Sequence, residues 1–133
     1  MRWSSALTIS RQHVKALEAG STEAAAAAEA LYRLAHVNAA NCDAIADAGA
    51  IPPLVALLTN GTGDGREWAA AALQKLACDN AANQAAITTA GGVEALMALV
   101  RNGAAGGQDH AARALRHLAL NNAANRASIA TAL

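Results

Sequence analysis

The chain is 133 residues long, with ten basic side chains balanced by ten acidic ones and 54% hydrophobic residues, none of them phenylalanine. Zero net charge sets aside a broad electrostatic grip on nucleic acid or on an anionic membrane. Two cysteines, Cys42 and Cys78, are too few and wrongly spaced for a disulfide framework or a cysteine metal motif, and fit ordinary thiols in a reducing compartment. Alanine supplies much of the apolar content, which points to closely packed helices, alanine being the best helix former.

From the N-terminus, Met1–Ile9 holds no apolar run of signal-peptide length. The Ala24–Ala28 run is short and flanked by Glu23 and Glu29, so no stretch reaches membrane-spanning length. A cytoplasmic location is expected, with the nucleus as the alternative. His13, Val14, Leu17 and Gly20 predict a worn helix, followed by a longer one from Glu23 to His36. Next comes Asn38-Ala39-Ala40-Asn41, which returns as Asn80-Ala81-Ala82-Asn83 and Asn122-Ala123-Ala124-Asn125, at a spacing of 42 residues. Ile45, Ile87 and Ile129 share that register. So do Leu31, Leu73 and Leu115, then Leu34, Leu76 and Leu118, then Ala35, Ala77 and Ala119. A period of this length marks a structural unit that buries its apolar face only by stacking on its neighbours.

Within the unit 38–79, Asn41 or Asp43 is expected to cap a short helix carrying Ile45 and ending before Gly49. Pro52 and Pro53 suit the first turn of a second helix, whose apolar face is Leu54, Val55, Leu57 and Leu58. Asn60–Gly65 has loop composition, and a third, longest helix is predicted from about Arg66 to Ala77. The unit 80–121 repeats the plan, its third helix predicted over Ala111–Ala119. Residues 1–37 form a partial first repeat, and 122–133 the first helix of a further one that stops mid-unit. That unfinished end predicts either an excised fragment or self-association through uncapped ends.

Three helices in 42 residues resemble the armadillo repeat. The stretch Asp47-Ala48-Gly49-Ala50-Ile51-Pro52-Pro53-Leu54-Val55-Ala56-Leu57-Leu58 is very close to that family's first-to-second helix junction, and Ala69–Ala77 matches its third helix. The junction returns as Ala90–Val100 without the prolines. The resemblance covers nearly everything from about residue 20 onward. It implies an all-α fold, a right-handed α–α superhelix of about three repeats with incomplete ends. It also implies a concave groove, lined by third helices, that accepts an extended peptide.

Turning 100° per residue from a core-facing Leu73 places Ala69, Ala70, Leu76 and Ala77 inward. Trp68, Ala71, Lys75 and Asp79 fall opposite. The equivalent stripes are Ala26, Glu29, Arg33 and Val37, then His110, Arg113, His117 and Asn121. By resemblance, the groove is lined by Glu29, Arg33, Trp68, Ala71, Lys75, His110, Arg113 and His117. The family's nuclear-import adaptors carry Trp at the position of Ala71 and Asn at that of Lys75. This chain has Glu29, Ala71 and Arg113 at the first, and Arg33, Lys75 and His117 at the second. An asparagine ladder for a ligand backbone is therefore missing. The stripe is mildly basic, so an acidic peptide or helix is the expected ligand. The competing reading is a solvated, solubilising surface. Trp68 is either a binding anchor or a cover for the Gly61–Gly65 loop, and Tyr32 and Arg116 occupy a flanking angle suited to packing.

Chemistry has little to work with. His110 and His117 are one helical heptad apart, about 10.5 Å at ~1.5 Å per residue, too far to share a zinc at ~2 Å from each. The Gly61–Gly65 glycines lack the lysine of a phosphate loop. No cofactor or metal is expected, and no enzymatic activity. The predicted function is a non-catalytic module binding a protein or peptide, with no nucleic acid and no membrane as partner. The alternatives are a structural or self-assembling segment of a longer array, or the targeting portion of a larger protein such as a ubiquitin ligase.

Overall fold

The computed structural model describes residues 5–19, 21–120 and 122–132. Trp3, Gly20, Asn121 and Leu133, on which the sequence-based expectations drew, lie outside these described residues. The described residues form nine helices and no strand. In chain order they are α1 (Ser5–Leu17), α2 (Ser21–Val37), α3 (Ala39–Asp47), α4 (Ile51–Asn60), α5 (Gly63–Ala77), α6 (Ala81–Thr89), α7 (Gly92–Asn102), α8 (Ala105–Ala119) and α9 (Ala123–Ala132). A short, medium, long rhythm runs twice, 9, 10 and 15 residues and then 9, 11 and 15.

The Asn-Ala-Ala-Asn motif makes the joint between units. Its first asparagine, not Asn41 or Asp43, is the N-cap: Asn38 Oδ1 accepts the Asn41 N–H at 2.8 Å. Asn80 and Asn122 cap α6 and α9 in the same way. The last asparagine is thereby free to reach backwards. Asn41 Nδ2 donates to the Leu34 carbonyl, Asn83 to Leu76 and Asn125 to Leu118, at 2.9, 2.9 and 3.0 Å. Those acceptors lie in the last turns of α2, α5 and α8, where helix carbonyls have no intrahelical partner. The residue after each asparagine contacts the next carbonyl along. Cys42 Sγ meets Ala35 O at 3.5 Å, Gln84 Nε2 meets Ala77 O at 2.8 Å, and Arg126 Nη1 meets Ala119 O at 3.0 Å.

Between the short and medium helices the chain turns sharply, α4 lying at 83° to α3. Gly49 and Gly91 make that turn with φ of 86° and 88°, a left-handed conformation that side chains disfavour. Pro52 and Pro53 sit in the first turn of α4. The third helices start earlier than the composition suggests. Thr62 Oγ1 accepts the Gly65 N–H at 3.1 Å and nucleates α5 from Gly63, so a good cap outweighs two glycines. In the next unit α8 begins at Ala105, not Ala111.

The residues in 42-residue register build the core. Leu31, Leu73, Leu76, Ile45 and Ile87 have no exposed surface, and Leu115 and Leu118 almost none. At the flanks Leu34 and Ile129 are only partly buried. α5 is the centre of the stack, packed between α2 and α8 and against α4. Ala69, Ala70, Ala71 and Ala72 are accordingly all fully buried; small side chains let neighbouring helices approach on every side. Among the described residues no single helix is long and apolar enough to cross a membrane.

Asn83→Ala should lower the unfolding free energy by about 1–3 kcal/mol, the cost of stranding the buried Leu76 carbonyl, in urea titration. Asn41→Ala should lose less, because Asn41 is only half-buried. Gly91→Ala tests the turn separately. A Cβ there meets nothing within 4 Å, so any loss, expected at about 1–2 kcal/mol, is backbone strain alone. Wild-type stability in Asn83→Ala would remove the joint from the account.

Candidate functional site

Consecutive third helices lie side by side, α2 on α5 and α5 on α8, and their outward residues meet along two seams. At the first seam Tyr32 and Trp68 pack with ring centroids 5.6 Å apart and planes tilted by 50°. At the second, the residues 42 positions on are Gln74 and His110, joined by a 2.8 Å hydrogen bond between Nδ1 and Oε1. The same geometry thus carries an aromatic contact once and a polar one next. Tyr32 also stacks on His36 at 5.9 Å and meets the edge-on ring of His110 at 6.5 Å. Because α5 separates α2 from α8, Tyr32 and His110 meet across the outer side of α5.

This convergence corrects one expectation. Ala71, placed in the outward stripe by helical angle, has no exposed surface, so it offers nothing for a ligand to touch. The angle was right for an isolated helix, but α5 is packed between α2 and α8, and that packing removes the outward surface the angle predicts. Trp68 and Tyr32 are both half-buried and packed against the core. Trp68 is therefore half of an aromatic platform rather than a lone anchor.

The charged residues are not equally available. Glu29, half-buried, takes the Arg33 guanidinium at 2.6 and 3.0 Å. Arg113 Nε lies 3.3 Å from Asp109 one turn earlier, an acid that the stripe did not include. Both arginines are solvent-exposed, and surface pairs of this kind are weakly held. Lys75 and Arg116 have no carboxylate partner among the described residues. His117 is half-buried, and burial holds its imidazole below the ordinary histidine range. Asp79 pulls it upward, while Arg116 and Lys75 push it down again.

Two hollows flank the seams. One, of about 320 Å³, is lined by Gln74, Arg113, Arg116 and His117. The other, of about 330 Å³, includes His36, Cys42, Lys75, Cys78 and Asp79. A larger one of about 710 Å³ lies between α4, α6 and α7. Its lining, Pro52, Val55, Ala56 and several further alanines among them, contains no ionisable group, so it offers shape without chemistry. Cys42 is kept a thiol by burial and, secondarily, by Asp43 and Cys78, against an opposing pull from Lys75. Among the described residues no group of three or more histidine, cysteine or acidic side chains is placed to hold a metal.

Tyr32, His36, Gln74 and Arg116 join this face although the helical stripe omitted them. Tyr32, Gln74 and Arg116 occupy one column of the 42-residue alignment. That column runs beside Arg33, Lys75 and His117, and it was the available signal.

The profile of the armadillo/beta-catenin-like repeat matches residues 38–78. Among solved structures, an engineered protein is 34% identical with a TM-score of 0.83, over 92% of this chain and 50% of that one. A designed armadillo repeat protein in complex with the peptide (KR)4 superposes with a TM-score of 0.81 at 24% identity, over 92% and 52%. The armadillo repeats only protein from Plasmodium falciparum gives 0.75 at 22%, over 83% and 46%. The chain spans about half the length of each of these three. Comparison with curated proteins gives no significant match. A matched armadillo repeat at its centre and helices stacked as in those arrays show that the chain has the armadillo-type, all-α repeat fold.

Proposed function

We propose that the chain is a protein-binding module that takes an acidic peptide or helix along the face of α2, α5 and α8. The observation that carries this reading is the pairing pattern. Arg33 and Arg113 form ion pairs with acids on their own helices, whereas among the described residues Lys75 and Arg116 form none, and the same three helices carry the half-buried Tyr32–Trp68 platform. Half-buried aromatics next to cations are the composition from which binding hot spots are made, and unpaired cations favour a ligand of opposite sign. The designed armadillo protein above holds a basic peptide; on this face, Lys75, Arg113 and Arg116 would repel such a ligand. Armadillo arrays are generally non-catalytic scaffolds, and no step of bond chemistry is proposed here.

Acidic peptides selected from a display library should bind the wild-type chain and lose about tenfold or more in affinity with Lys75→Glu/Arg113→Glu, each reversal turning an attraction into a repulsion. Trp68→Ala should weaken the same peptides, and unchanged affinity in both variants would remove this face from the function. Protonation supplies a second readout. In the free chain His117 holds a proton less readily than an ordinary histidine, first because it is partly buried and then because Arg116 and Lys75 oppose the pull of Asp79. An acidic ligand favours the protonated form, so affinity should rise as pH falls below the histidine reference of 6.5, and His117→Gln should flatten that part of the profile.

A further inference from the structure

We infer that the hollow on the α5–α8 seam lined by Gln74, Arg113, Arg116 and His117 is a subsite for a phosphorylated side chain of the peptide; this rests on the peptide-binding reading above. Gln74 is the first reason. Its side chain is only 9% exposed, and Oε1 is committed to the His110 Nδ1–H at 2.8 Å. That bond fixes the amide plane, and Nε2 has no acceptor among the described residues. The nitrogen nonetheless reaches the surface, since Ser10 Oγ alone among the described residues is a fully buried side-chain polar atom without a partner, so it stays open to an incoming acceptor. Gln74 lines the hollow, so a ligand oxygen seated there supplies one.

The other lining groups share that polarity. Arg113 gives Nε to Asp109, which leaves its terminal nitrogens for a ligand. Arg116 has no carboxylate partner among the described residues, and Arg113, Arg116 and His117 share one side of α8 by their three- and four-residue spacing. The lining carries no carboxylate. Asp79 acts on His117 from the turn after α5, and Lys75 opposes it from α5 itself.

The donor count decides the ligand class. A carboxylate has two oxygens and one charge, and a single guanidinium fork satisfies it. Two guanidinium groups, an amide and an imidazole exceed that demand. A phosphomonoester presents three terminal oxygens and nearly two negative charges, which match the set.

The test uses small probes on isotope-labelled chain followed by NMR. N-acetyl-O-phosphoserine amide should give saturable shifts at the Gln74 side-chain amide and the His117 ring. It should bind about fivefold or more tightly than N-acetyl-aspartate amide, as expected for the extra charge-assisted bonds. Arg116→Ala, at an exposed position, should abolish these shifts while leaving the rest of the spectrum in place. Absence of shifts at Gln74, or equal binding of the aspartate probe, overturns the phosphate assignment. Orthophosphate binding as tightly as the phosphoserine probe would also overturn it, showing a site for a free ion. If the probes fail while display-selected acidic peptides still bind through Lys75, only the subsite falls. If those peptides fail as well, the peptide-binding reading falls with it.

Discussion

Every unit of this stack is fixed to the one before it by a single asparagine side chain bonded to an otherwise orphaned carbonyl. Asn41, Asn83 and Asn125 each hold the last turn of the preceding third helix. Each is itself held by the cap three residues earlier, which binds its backbone N–H. The two bonds lock the direction in which the chain leaves one unit and enters the next. Aspartate in place of the second asparagine would be acceptor-only and would face a carbonyl at the negative end of a helix dipole. Glutamine would carry an extra methylene. The carbonyl next to it is less demanding, since a thiol, an amide and a guanidinium all reach it. Asn80 extends the joint sideways by donating to Asp43 Oδ1 at 2.9 Å, and Asn125 by donating to Thr88 Oγ1 at 3.0 Å. These link one unit's first helix to the next.

Once the joints are set, alanine decides how closely the third helices lie. A run of four fully buried alanines in α5 leaves no bulk to hold α2 and α8 away. Side chains at the edges of adjacent helices then have to meet each other rather than solvent, producing the Tyr32–Trp68 and Gln74–His110 contacts. The same closeness buries Ala71 and lets Tyr32 approach His110. Core composition and site geometry are therefore one question: a leucine at the fully buried Ala71 would need volume that the packed helices do not leave.

Much of the fold was legible because repetition supplies its own alignment. The leucines and isoleucines in register are the buried ones except at the flanks, where Leu34 and Ile129 are partly buried, and Gly49 and Gly91 stand where the chain turns. Helix starts were read less well. Composition suggested a loop through Gly65, but Thr62 caps a helix from Gly63, a local bond that outweighs glycine's propensity. The cap of α3 was placed at Asn41 or Asp43, three or five residues late, since either asparagine of the motif can cap and only geometry assigns the backward reach to the second. The site was read least well, and for a definite reason. Helical angle orders residues around one isolated cylinder, whereas this face is made where cylinders touch. Ala71 lost its place and Tyr32, Gln74 and Arg116 gained theirs through contacts between helices, and those depend on how close the helices come.

The column Tyr32, Gln74, Arg116 shows how such a scaffold separates folding from recognition. Its members occupy equivalent backbone positions yet carry an aromatic ring, an amide and a guanidinium, while the joint asparagines Asn41, Asn83 and Asn125, at the same 42-residue spacing, never change within the chain. The seam contacts of Tyr32 and Gln74 are with other side chains of the face rather than with helix-end carbonyls, so exchanging ring for amide alters what the face can bind without disturbing a helix end. A joint residue satisfies buried backbone, and exchanging it strands a carbonyl. The cost of change is thus high at the joints and low along the seams, which is the distribution a surface needs if its specificity is to vary while its curvature stays fixed.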